Sequence, residues 1–106
     1  MSGSNEKKPR KTSPEKLGRA AEIFEGLGHP IRLEIIELLE GGKVLAVGQI
    51  LESLNVEPTL LSHHLRKMKH LGIVDSKKEG RFIYYHLAIL ELTKVLDCID
   101  NCGIDG

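Results

Sequence analysis

Apolar residues recur at spacings of three and four through most of this chain, and give way to strict alternation in one late segment. The first spacing is that of a helix with one buried face, the second that of a half-buried strand. Residues 58–72, PTLLSHHLRKMKHLG, carry the clearest case: Leu61, Leu65, Met68 and Leu71 line one side, while Thr59, Ser62, His63, Arg66 and Lys67 point the other way. Proline at the first turn and Gly72 at the end bound this helix.

The rest of the chain arranges itself around that stretch. Ser13 before Pro14 reads as an N-cap, and a helix from there to about Leu27 puts Leu17, Ala20, Ala21, Phe24 and Leu27 on one face, a core or dimer surface. Pro30 opens a second helix with Ile31, Ile35, Leu38 and Leu39 as its stripe, stopped by Gly41 and Gly42. Residues 43–46 suit a small strand and residues 47–54 a short third helix, after which Asn55 suits a left-handed terminal position. Only residues 55–57 separate that helix from Pro58, and two helices joined so tightly make a helix-turn-helix.

Beyond Gly72, residues 73–77 and 81–87 read as strands, with Glu79-Gly80 as the hairpin tip. In the second strand Phe82, Tyr84 and His86 face one way and Arg81, Ile83, Tyr85 and Leu87 the other. Residues 88–102 form a last helix with Leu92, Val95, Leu96 and Ile99 on one face. The predicted fold is mainly α with a β-hairpin wing, a winged helix-turn-helix in the order α-α-(β)-α-α-β-β-α.

At 106 residues the chain fits one domain near the size at which dimerisation often supplies extra burial. We expect a disordered basic arm over residues 1–12, the folded domain over 13–102 and a short tail over 103–106. The formal net charge is zero, yet the charge is segregated: residues 1–19 sum to +4, 20–56 to −4, 57–86 to +3 and 87–106 to −3. The basic segments suit phosphate and the acidic ones face elsewhere. No apolar run approaches membrane-spanning length and the N-terminal residues are polar, so the expectation is a soluble, cytoplasmic protein with no membrane partner.

The cationic helical face points to double-stranded DNA. Thr59, Ser62 and His63 lie at i, i+3 and i+4, so they can reach base edges together from one side, with Arg66 one turn further on and better placed for phosphate and Lys67 on the same DNA-binding face. In the hairpin, Lys77, Lys78 and Arg81 flank the tip and suit phosphate or a minor groove. The runs LGHPIRLEIIELL, LLSHHLRKMKHLGIV and KKEGRFIYYHL, in that order, resemble the ArsR/SmtB family of bacterial winged-helix repressors, over roughly residues 16 to 100. The resemblance implies a homodimer whose first and last helices pack across the two-fold axis. It also implies a near-palindromic operator and release by an inducer, often a metal or metalloid ion. The family's Ser-x-His-Leu pattern falls on Ser62, His64 and Leu65, which places His64 towards the inside or the turn, in a structural role.

Two sensing sites known in that family are missing by sequence. The cysteines that would flank Val47 are replaced by Ala46 and Gly48, and no histidine follows His86 to build the last-helix zinc site. Cys98 and Cys102 remain, at i and i+4 on the last helix. Thiolates at that spacing suit a soft ion such as arsenite, zinc, cadmium or copper(I). The alternative, ranked behind a soft ion, is a redox or reactive-sulfur switch, since about 6 Å along one helical turn is near the upper limit for an unstrained disulfide. The plain alternative is that both simply pack. No cofactor is required.

Among other functions, a protein-interaction winged helix would more often expose an apolar patch where residues 59–67 are polar and basic. An enzyme is disfavoured: there is no glycine-rich phosphate loop and no tryptophan, and Ser62 and His63, being adjacent on a helix, do not face each other.

Overall fold

The computed structural model describes residues 12–101. Among the described residues, five α-helices and three strands follow one another: α1 (Pro14–Gly26), α2 (Pro30–Leu38), β1 (Leu45–Ala46), α3 (Val47–Ser53), α4 (Pro58–His70), β2 (Val74–Glu79), β3 (Phe82–Leu87), a 3-10 turn (Leu90–Leu92) and α5 (Thr93–Asn101). This is the predicted winged helix-turn-helix, in the predicted order. Except for Thr12, the expected basic arm lies outside the described residues, as do Cys102 and the tail.

The first four helices start where a local acceptor or a proline makes starting cheap. The Ser13 hydroxyl accepts from the Lys16 amide at 3.2 Å ahead of Pro14, and His29 Nδ1 accepts from the Ile31 amide at 3.3 Å ahead of Pro30. Gln49 Oε1 accepts from the Ala46 amide at 2.8 Å and fixes the entry to α3. Pro58 opens α4 without a side-chain cap. One expectation fails here: Asn55 is not left-handed, since no described non-glycine residue has a positive φ. Helix α3 instead runs straight into extended backbone at Leu54 (φ −117°, ψ 141°), because the next helix must start within three residues.

The strands form one antiparallel sheet in the order β1-β3-β2. Glu79 pairs with Phe82, so the turn residues are Gly80 and Arg81, one position later than predicted. Gly80 carries φ 62°, which a side chain would resist, and that requirement sets the turn. The alternation is as predicted, with Val74 and Leu87 paired and buried on the inner face. The last helix begins later than expected, at Thr93, after the 3-10 turn.

The core lies between the helices and the sheet. Ile35, Ile36 and Leu39 from α2 and its C-cap meet Ile50 of α3, Leu61, Leu65 and Met68 of α4, and Ile73, Val74 and Leu87 beside and within the sheet. Helix α1 is different. Ile23 and Leu27 pack on the core, but Leu17 and Phe24 of the predicted apolar face are 53% and 60% exposed. That face therefore finds no cover among the described residues.

Candidate nucleic-acid interface

Helix α4 presents two faces with opposite chemistry. Leu61, Leu65 and Met68 are buried, while Thr59, Ser62, His63, Arg66 and Lys67 are all exposed. The helix is thus anchored along one side and offers hydroxyl, imidazole and guanidinium groups along the other. Its last turn carries Lys67, Lys69 and His70, positive groups where the helix dipole is negative.

His63, Arg66, Lys67 and His70 border one shallow hollow of about 290 Å³. His70 was not among the predicted contacts, although its spacing from Lys67 and Arg66 places it on the same face. Lys69 also gains a role that only the tertiary structure reveals, since its Nζ donates to Ser76 Oγ of β2 at 2.7 Å. That bond ties the end of α4 to the hairpin.

In the wing, Lys77, Lys78 and Arg81 are exposed as the candidate set requires. They do not share one face. Lys78 stands opposite Ile83 on the side that also carries Ser76, whereas Lys77 stands opposite Tyr84 on the outer side, with its Nζ 3.5 Å from Glu79 Oε2. Arg81, at the tip, lies over the Phe82 ring with 5.6 Å between guanidinium carbon and centroid.

One polar residue of α4 points inward. His64 is 2% exposed, and Arg32 Nε donates to its Nδ1 at 3.0 Å. Arg32 Nη1 also donates to the Gly26 carbonyl at 2.9 Å. The His29 ring lies 4.3 Å from that of His64, and the His63 ring 5.7 Å away. Burial holds His64 below its ordinary pKa of 6.5, and the neighbouring His29, Arg32 and His63 push in the same direction. Its Nε2 has no hydrogen-bond partner among the described residues.

Of the predicted sensor pair, Cys98 sits exposed on α5, and Cys102 lies outside the described residues. No three His, Cys, Asp or Glu side chains gather for a metal ion among the described residues. No described helix is long and apolar enough to cross a membrane.

The comparisons with known proteins agree with this geometry. Residues 29–76 match the family described as "Bacterial regulatory protein, arsR family". An uncharacterized HTH-type transcriptional regulator of Methanocaldococcus jannaschii is 35% identical over 82% of this chain and 98% of its own length. The HTH-type transcriptional repressor SmtB of Mycobacterium tuberculosis is 33% identical over 87% of this chain and 68% of its own. Among solved structures, the transcriptional repressor PagR of Bacillus anthracis superposes with a TM-score of 0.73 at 28% identity, covering 82% of this chain and 99% of that one. The hairpin behind a short-linked helix pair and the extent of these likenesses lead to one conclusion: the chain belongs to the arsR family of winged helix-turn-helix transcriptional regulators, DNA-binding proteins and not enzymes.

Proposed function

We propose that this chain is a homodimeric, sequence-specific repressor that reads a near-palindromic operator with Thr59, Ser62 and His63 and holds phosphate with Arg66, Lys67, Lys78 and Arg81. The observation that carries this reading is the division of α4 into a buried apolar face and an exposed polar, basic one. Lys77 contributes less, because its ammonium is partly neutralised by Glu79. Dimerisation is supported by the uncovered apolar face of α1, with Leu17 and Phe24 at its centre. Two copies would set their α4 helices about 34 to 36 Å apart, one turn of DNA.

The inducer acts at Cys98 and Cys102, as a thiophilic metal or metalloid such as arsenite. The exposure of Cys98 on α5 supports access by a soft ion and by an oxidant or reactive sulfur species alike, so a thiol switch is the second reading.

The test is a fluorescence-anisotropy titration of operator DNA selected from a random library. Replacing Ser62 and His63 with alanine is expected to weaken specific binding by about tenfold or more while leaving the chain folded. Unchanged affinity would sink the base-contact assignment.

A further inference from the structure

Arg32 has its stem in α2 and its head between two other helices. Its Nε reaches His64 Nδ1 in the middle of α4 at 3.0 Å, and its Nη1 reaches the Gly26 carbonyl at the end of α1 at 2.9 Å. Guanidinium donors are fixed in one plane, so two bonds from one group set both the separation and the angle of what they hold. His64 lies beside His63 and two residues from Ser62. Where His64 is held, the outward side chains of that turn are held too.

The bond also dictates the state of the imidazole. A histidine that accepts at Nδ1 and is neutral carries its hydrogen on Nε2, and this Nε2 is buried without a partner among the described residues. Leaving a buried donor unpaired is unfavourable, so the arrangement persists because the contact with Arg32 outweighs it. A second proton, on Nδ1, would turn acceptor into donor and set N–H against N–H beside a permanent cation. The groups that face His64 offer nothing to offset this: His29 precedes α2, Arg32 is on α2 and His63 is on α4. Glu22 and Glu25 of α1 line the adjoining cleft with Arg32.

We propose that Arg32 is a positioning residue for DNA reading, acting through His64 to hold α4 at its working depth, and that proton uptake by His64 releases this hold and weakens operator binding. The proposal rests on the reading of α4 as the helix that contacts DNA.

Operator affinity of the full chain, measured by anisotropy between about pH 7.5 and 5.5 at constant salt, tests it. His64→Gln keeps an acceptor for Arg32 but does not titrate, and every other side chain is common to both proteins, so the difference between the two profiles isolates His64. Wild type is expected to lose affinity severalfold more than His64→Gln on acidification. At about pH 7.5, Arg32→Met is expected to bind about tenfold more weakly than wild type while folded, and Arg32→Lys to remain defective because one ammonium lacks the planar fork. Superimposed profiles, or full affinity in Arg32→Lys, overturn the proposal. If these variants do not fold, the wild-type chain alone decides through nitrogen-proton correlation spectra of its imidazoles. A neutral Nε2–H tautomer at His64 is expected near neutral pH, and an Nδ1–H or doubly protonated ring overturns the proposal. A wild-type chain that binds no operator overturns the DNA reading itself, whereas normal wild-type binding with superimposed profiles overturns the role of His64 and Arg32 alone.

Discussion

Lys69 Nζ and Ser76 Oγ stand 2.7 Å apart and join the last turn of α4 to the first half of β2. The bond is exposed, so it contributes about 1 kcal/mol or less to stability. Its effect on the angle between helix and wing is the larger one. Ser76→Ala is expected to leave the urea unfolding midpoint nearly unchanged while weakening operator binding a few-fold. A variant that loses stability but keeps affinity would reverse that assignment.

Phosphate contacts and base contacts separate by their salt dependence. Arg66→Ala and Lys67→Ala are each expected to weaken binding to all DNA sequences alike and to lower the slope of log affinity against log salt by about 1. Because Lys77 is spent partly on Glu79 and faces away from the Ser76 side, Lys78→Ala is expected to lower the slope more than Lys77→Ala. Equal slopes in the two wing variants would remove the distinction between the faces.

Phe24 is 60% exposed on α1 in a single chain. Phe24→Ala should therefore change the fold of one chain little and weaken self-association by about tenfold or more, as loss of an aromatic anchor does at interfaces. Sedimentation equilibrium over a range of concentrations checks this, and an unaltered dimer constant places the interface elsewhere.

Acid should destabilise the chain through His64. Its folded pKa lies below the ordinary 6.5, so as pH falls the unfolded chain takes up this proton before the folded one does. The contribution is present in full above pH 6.5 and declines below it, down to the depressed folded value. Denaturant midpoints of wild type should fall on acidification more than those of His64→Gln.

Cys98→Ser with Cys102→Ser is expected to keep operator affinity and to abolish DNA release by the inducer. A release screen against arsenite, cadmium, zinc, copper(I), peroxide and polysulfide measures it. A double variant that still responds like wild type moves the sensor off α5.

Much of the fold was legible because it rests on local periodicity. Leu61, Leu65 and Met68 announce the buried side of α4 by spacing alone, and the exposed set follows from it. The hairpin tip was misplaced by one residue because register is decided by the pairing of Glu79 with Phe82 and by the positive φ of Gly80, neither of which a dipeptide pattern specifies. Asn55 tolerates a left-handed position but is not compelled to adopt one, and the short link to Pro58 favoured extended backbone. Arg32 and His64 are separated by 32 positions, so nothing in either neighbourhood signals their bond. The face of Leu17 and Phe24 is apolar by spacing alone, but spacing cannot say whether an apolar stripe is covered by its own chain or by another.

Gly26 closes α1 with no side chain, and Leu71 Cδ1 occupies the space that a β-carbon would fill. Arg19 Nη2 crowds Gly72 in the same way, 2.6 Å from where its β-carbon would stand. Two glycines therefore make room for the Leu71 and Arg19 side chains between α1 and the segment that leaves α4. A β-carbon at either glycine would displace one of these side chains, so the packing at this seam depends on both positions staying bare. In the proposed dimer, α1 would carry the apolar face of Leu17 and Phe24 on one side and this two-glycine seam on the other, so a tilt of α1 is expected to reach the foot of α4 through Leu71 and Arg19.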